Sequence, residues 1–133
     1  DHRGRRVFFA LAKNPAGFEA ATRTLAALPA PRRVLLLLND RWADGHDVSW
    51  IWDADFAGFR GDRVWVGGTR AEALTLRLKY AGAAAPLAEL RSHRAAFDAA
   101  IDATPKGETL CVVLNYTAML DLFRALRKPL VPR

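Results

Sequence analysis

Four short apolar runs constrain this chain most: RVFFALA at 6–12, RVLLLL at 33–38, RVWVGG at 63–68 and ETLCVVL at 108–114. They are nearly continuous and do not alternate with polar residues. Successive side chains of a strand point to opposite faces, so an unbroken apolar run suits a strand covered on both sides, as in a parallel sheet. Parallel strands need crossovers, and the intervening segments have helical spacing. Phe18, Ala21, Leu25 and Leu28 form one apolar stripe, stopped by the Pro-Ala-Pro of 29–31. Thr69 and Glu72 have capping-box spacing, Leu74, Leu78 and Ala81 supply the next stripe, and Gly82 is placed as its C-cap. A third helix is expected near 92–103, a fourth from Thr117 to Arg127 before Pro129, and a weak strand around Pro86 to Glu89. This alternation predicts a Rossmann-like three-layer α/β sandwich, with a mostly parallel sheet and helices on both faces. No internal repeat, low-complexity tract or linker interrupts it, and fraying is expected at both ends.

The 133 residues fit one domain, and 51% hydrophobic with 26% charged residues excludes disordered and collagen-like classes. No apolar run approaches the roughly 20 residues of a membrane helix, so no transmembrane segment is expected. The opening DHRGRRVFF has neither a signal-peptide core nor an initiator Met, which suits a cytoplasmic protein or a fragment of one. The single cysteine, Cys111, lies in LCVVL and reads as a small buried hydrophobe, and no His or Cys spacing suggests a metal. A net charge of +6 and a pI near 10.2 raise the question of nucleic acid. The basic residues are scattered arginines without aromatic interleaving or a known motif, so no nucleic-acid partner is expected.

In open α/β sheets, ligands bind beyond the carboxyl ends of the strands. The residues following the four runs are Lys13 and Asn14, then Asn39 to Asp47, then Gly67 to Arg70, then Asn115 and Tyr116. The fold therefore gathers them on one edge, although turn chemistry alone also favours Asn, Asp and Gly there. The stretch LNDRWADGHDVSWIWDADF, 38–56, holds five of the 14 acidic residues and three of the four tryptophans. Exposed indoles cost solubility and buried ones need a partner for N–H, so this long loop reads as a shaped site or an interface. Within it, Asp40 and Asp44 are expected to shape the loop through Asx turns. Asp47 or Ser49 is expected to cap a short helix, with Asp53 and Asp55 as first-turn acids. Trp50 and Trp52 are expected to pack on the sheet or on a partner. The histidines, His2 in the frayed start, His46 and His93, read as surface residues, and His46 and Asp47, being adjacent, should point apart. No P-loop, GxGxxG or GxSxG pattern is present.

LAKNPAGF (11–18), the stretch 38–56, VGGTRAEALTLRLKYAG (66–82) and LNYTAMLDL (114–122) together closely resemble the C-terminal domain of MurT. MurT is the Mur-ligase-like subunit of bacterial lipid II isoglutaminyl synthase. The resemblance covers essentially the whole chain, and DGHDVSWIWD is its specific phrase. KNPAG is also similar to the HNP-type turn that opens this domain in other Mur ligases, although Lys13 stands where His is common, so no exact contact carries over.

The resemblance implies a complex that amidates the α-carboxyl of D-glutamate in the peptidoglycan stem peptide of lipid II or its precursor. ATP with Mg2+ serves the full-length ligase, and ammonia comes from glutamine through a GatD-like glutaminase. That partner supplies a cysteine and a histidine, and Asp47, at the second aspartate of the DGxD motif, completes its triad. The resemblance further implies that Trp42, His46, Trp50 and Trp52 dock the partner, and that Lys13 and Asn14 contact nucleotide or acyl phosphate. Residues 1–133 lack the upstream ATP-binding central domain of such a ligase. The chain is therefore expected to be an inactive fragment by itself that binds no cofactor tightly. The competing expectation is a stand-alone Rossmann-like module for a nucleotide or small anion, with a closed loop and buried tryptophans.

Overall fold

The computed structural model describes residues 1–127. In chain order the elements are β1 (Arg6–Leu11), α1 (Pro15–Leu25), β2 (Arg33–Leu37), β3 (Arg63–Gly67), α2 (Ala71–Tyr80), β4 (Glu89–Leu90), α3 (His93–Asp102), β5 (Thr109–Leu114) and α4 (Tyr116–Arg127). Three short 3-10 segments, Trp42–Asp44, Ser49–Asp53 and Ala57–Phe59, replace a crossover helix between β2 and β3. The sheet order is β1-β5-β2-β3-β4 and every pairing is parallel. Both expectations, the three-layer α/β class and the parallel sheet, hold.

The two faces of the sheet bury separate cores. Val34, Leu36, Val66 and Val113 meet α1, α2 and the Phe56 and Phe59 turns on one face. Leu35, Leu37, Trp65, Val112 and Leu114 meet α3 and α4 on the other. β2 thus reads apolar throughout because alternate residues enter different cores, and each such Leu contributes about 1.5–3 kcal/mol. α1 and α2 carry the chain in one direction over one face, and α3 carries it back over the other. The three crossovers therefore share one hand.

The apolar run of β1 misleads about coverage. As an edge strand it is paired on one side only, and Phe8, Phe9 and Leu11 are 37%, 36% and 51% exposed. Other local signals are redistributed. Asn14 caps α1 by accepting from Gly17 N at 2.8 Å, with Pro15 at the first helical position. α1 stops at Leu25, and Leu28 reaches the core from the turn beyond. The Thr69–Glu72 capping box does not form, because the Thr69 hydroxyl is drawn to Asp40 and α2 begins after Arg70 without a side-chain cap. Its C-terminus is a Schellman arrangement: Gly82 has φ +81°, Gly82 N bonds Lys79 O and Ala83 N bonds Leu78 O.

Ser92 caps α3, α4 begins one residue before Thr117, and the weak strand falls at Glu89–Leu90. The expected stop at Pro129 and the carboxyl-terminal fraying lie outside the described residues. The amino terminus is not frayed. His2 and Arg5 form a β-bridge, the His2 ring stands edge-on to Phe97 at 5.0 Å, and Arg3 bonds Asp98 and Asp102. Among the described residues no helix is long and apolar enough to cross a membrane.

Candidate functional site

Just past the ends of β2 and β5 lie two buried asparagines, Asn39 and Asn115. Asn115 Nδ2 donates to Asn39 O at 2.8 Å, and Asn115 Oδ1 accepts from Asn39 N at 3.1 Å. The Asn39 side chain is itself a junction: Oδ1 accepts from Thr69 N at 3.1 Å and from His93 Nε2 at 2.8 Å, which assigns the imidazole proton to Nε2. Its Nδ2 donates to Thr117 Oγ1 at 3.0 Å and to Asp121 Oδ2 at 3.3 Å. Asp121 also takes Arg41 Nη1 at 2.5 Å. Burial holds the His93 pKa below its ordinary value, with Asp121 opposing and Arg41 reinforcing the shift.

The acidic loop springs from this base. Asp40 accepts from the Thr69 hydroxyl at 2.9 Å, and this bond, with Arg70 nearby, keeps its pKa low. Asp44 accepts from Thr117 N at 3.1 Å and also from the Thr117 hydroxyl, so it caps α4 from a distance and closes on Arg41 N at 3.2 Å. Both acids do shape the loop, but mainly through partners some 30 and 73 residues away along the chain. Gly45 and His46 then turn with φ +88° and +53°. His46 pays the strain of that left-handed conformation back in part through Nδ1–H donating to Asp40 O at 2.8 Å. His46 and Asp47 do not pair, as expected.

Asp47 follows, exposed. Its Oδ1 accepts from Ser49 N at 2.9 Å, and the Ser49 hydroxyl and amide hold its pKa below the ordinary carboxylate value. The segment after it is anchored by Arg77, which donates to Ile51 O at 2.8 Å and Ala54 O at 2.6 Å and lies over the Trp52 ring at 5.4 Å. Asp55 caps the next turn through Ala57 N at 2.8 Å, whereas Asp53 ends the Ser49–Asp53 turn and is not a first-turn acid.

The tryptophans divide. Trp42 is 84% exposed and stands against the His46 ring at 5.7 Å. Trp52 is 44% exposed and meets Tyr80, also exposed, at 5.7 Å. Trp50 turns inward toward Phe18, with ring centroids 6.0 Å apart, and packs against the core. His46, Asp47, Ser49, Trp52, Arg70 and Ala73 line a shallow cleft of about 170 Å³. Lys13 and Asn14 sit on the same edge of the sheet but beyond β5, outside this cleft, and Asn14 Oδ1 is engaged in capping α1. Among the described residues no group of three or more His, Cys, Asp or Glu is placed to hold a metal.

The arrangement offers an exposed, ionised carboxylate between two exposed aromatic surfaces, with the Ser49 hydroxyl bonded to it and His46 in the same cleft but turned to Asp40 O. Sequence reasoning found the loop but not the roles of His93, Thr117 and Asp121. One signal was present: Thr117 and Asp121 are polar at helical i,i+4 spacing beside the buried Ala118 and Leu122.

Comparison with known proteins agrees with this geometry. The family model described as MurT ligase C-terminal matches residues 11–119. The subunit MurT of lipid II isoglutaminyl synthase (glutamine-hydrolyzing) from Staphylococcus aureus (strain COL) is 38% identical over 121 residues, which is 89% of this chain and 27% of that protein. The Streptococcus pneumoniae (strain ATCC BAA-255 / R6) protein of the same name is 39% identical over 75 residues, 54% of this chain and 17% of that protein. The chain therefore spans about a quarter of the length of the Staphylococcus relative. With the parallel sheet, the aspartate-bearing loop and the family match in agreement, this chain belongs to the MurT ligase C-terminal family.

Proposed function

We propose that this chain is the part of a glutamine-hydrolysing lipid II isoglutaminyl synthase that docks a GatD-like glutaminase and lends it Asp47. The observation that carries this reading is the posture of Asp47: exposed, ionised, and held at one oxygen by Ser49 N at 2.9 Å. A carboxylate in that posture suits the third place in a Cys-His-Asp triad divided between two chains. Accepting a hydrogen bond from the partner's imidazole would hold its tautomer and stabilise the imidazolium formed when the cysteine is deprotonated. Trp42 and Trp52 flank the carboxylate with exposed aromatic surface, the residue type enriched in interface cores.

In the whole ligase, bound ATP with Mg2+ would supply the phosphoryl group that turns the D-glutamate α-carboxyl of the lipid II stem peptide into an acyl phosphate, from which ammonia would displace phosphate. The described residues fit a secondary part in holding the nucleotide. Lys13 presents a point charge, and Asn14 keeps its Nδ2 as a donor.

The competing reading, a stand-alone anion-binding module, would most naturally use the Gly68–Arg70 turn at the start of α2. There Thr69 N is bonded to Asn39 Oδ1, Arg70 N to Leu38 O and Ala71 N to Gly68 O, so three amides are already satisfied. Glutaminase activity of the cognate GatD-like protein, measured alone and with this chain, separates the two. Stimulation by the natural chain that vanishes in Asp47→Asn, with binding retained, supports the lent carboxylate. Absence of binding by the natural chain defeats the reading.

A further inference from the structure

The cations of this chain are unevenly placed. In a parallel sheet all strands start at one edge, and Arg6, Arg33 and Arg63 are the first residues of β1, β2 and β3. Arg33 and Arg63 are also register partners. α1 returns to the same edge with Arg23 in its last turn, and Lys106 lies in the turn before β5. Arg33 is paired with Glu108 at 2.7 Å, and Arg32 with Asp62 at 3.0 Å. Arg6, Arg23, Arg63 and Lys106 are exposed, and among the described residues none has a carboxylate within ion-pair distance. On the edge that carries Asp47, Arg41 and Arg70 are matched by Asp121 and Asp40, and Lys13 is the exposed cation that has no carboxylate within ion-pair distance among the described residues.

Apolar surface adjoins Arg6 at this edge. A groove of about 580 Å³ is lined by Val7, Phe8, Ala27 and Leu28, together with Arg6 and Asp1. It shares Arg6, Leu28 and Thr109 with a cleft of about 410 Å³ that continues past Pro29 and Pro31 to Arg32 and Arg33. Phe8 is 37% exposed in the groove. An edge with unmatched cations beside an apolar and prolyl groove suits a bilayer interface, where phosphates meet the charges and apolar side chains reach the acyl boundary. A nucleic-acid surface would instead interleave several stacking aromatics or polar side chains with its cations, whereas Phe8 is the single aromatic in the lining of this groove.

We propose that the amino-terminal edge of the sheet is a peripheral membrane surface that recognises anionic phospholipid headgroups. It lies at the opposite end of the strands from Asp47, so membrane and protein partner can be engaged together. The inference stands on charge and groove alone and survives even if the lent carboxylate does not.

Co-sedimentation of the chain with phosphatidylcholine vesicles, with and without phosphatidylglycerol, tests it. The expected result is binding only to vesicles containing phosphatidylglycerol, weakened by salt. Arg6→Gln, Arg23→Gln and Lys106→Gln should each lower the partition coefficient about fivefold, and the triple variant on the order of 100-fold. Arg91→Gln, at the opposite edge, should leave it unchanged. These side chains are exposed, and an unaltered thermal melt establishes that each variant is folded. The proposal is overturned by failure to bind phosphatidylglycerol vesicles, by equal binding to both vesicle types, or by full binding of the triple variant. A chain that ignores vesicles but retards duplex DNA also overturns it and reassigns the edge to nucleic acid.

Discussion

The side chain of Asn115 grips the backbone of Asn39 at both polar groups, donating to its carbonyl at 2.8 Å and accepting from its amide at 3.1 Å. An amide side chain here does what a strand backbone would do, continuing the β2–β5 pairing beyond Leu37 and Leu114, where the two strands end. The acidic loop therefore leaves from a rigid point, and the position of Asp47 is inherited from it.

Asn39→Ala, at a fully buried side chain, removes the acceptor for Thr69 N and His93 Nε2 and the donor to Thr117 and Asp121. Orphaned buried polar groups cost about 1–3 kcal/mol each when unrelieved. A net destabilisation of about 3 kcal/mol is expected by urea denaturation. Hydrogen exchange should also quicken through residues 40–47. A loss under about 1 kcal/mol would mean that the junction does not anchor the loop.

Asp44→Ala removes the acceptor for both the amide and the hydroxyl of Thr117 at the start of α4. Loss of a cap costs about 1–2 kcal/mol. Asp44→Asn, which keeps one carbonyl acceptor, should lose less than Asp44→Ala, and equal losses in the two variants would argue against capping.

His93 gives stability a pH dependence of definite sign. Burial lowers its folded pKa beneath the ordinary 6.5, so the unfolded chain takes up the proton first as pH falls. Its contribution is complete above about pH 6.5 and declines as the pH drops from there toward the folded pKa. His2, lowered chiefly by burial and then by Arg3, adds in the same direction. The melting temperature should fall on mild acidification. His93→Gln, whose amide can still donate to Asn39, should flatten part of that fall, and an unchanged slope would remove His93 from the account.

Cys111 is 1% exposed in the middle of β5, and burial pushes its thiol up to about 11. A disulfide-exchange reagent at neutral pH should leave the native chain unmodified and label one thiol once denaturant unfolds it. Native labelling at the rate of a free thiol would show that β5 opens readily.

Much of this molecule could be read locally. The four main strands, the helical stripes, the Gly82 stop and the acidic loop each follow from residues near one another in sequence, because strand and helix periodicities and turn chemistry act over a few positions. The missing capping box of α2 has a tertiary cause: Thr69 satisfies either α2 or Asp40, and only the approach of two strand ends made Asp40 available. Likewise the run of β1 is apolar enough for an interior strand, and its exposure followed from β5 inserting between β1 and β2.

The candidate site divides the same way. Asp47, the exposed tryptophans and the family resemblance were visible in the linear pattern, since they occupy one continuous loop. Which indole turns inward, which carboxylates hold α4 and α2, and the joining of Asn39, His93, Thr117 and Asp121 depend on groups separated by 29 to 82 residues. Such contacts arise only when loop-closure entropy has been met by burial of the sheet, so no local spacing specifies them. Sequence alone determined the class of fold and the loop that matters. Tertiary structure decided how firmly that loop is held, and the edge toward which its carboxylate points.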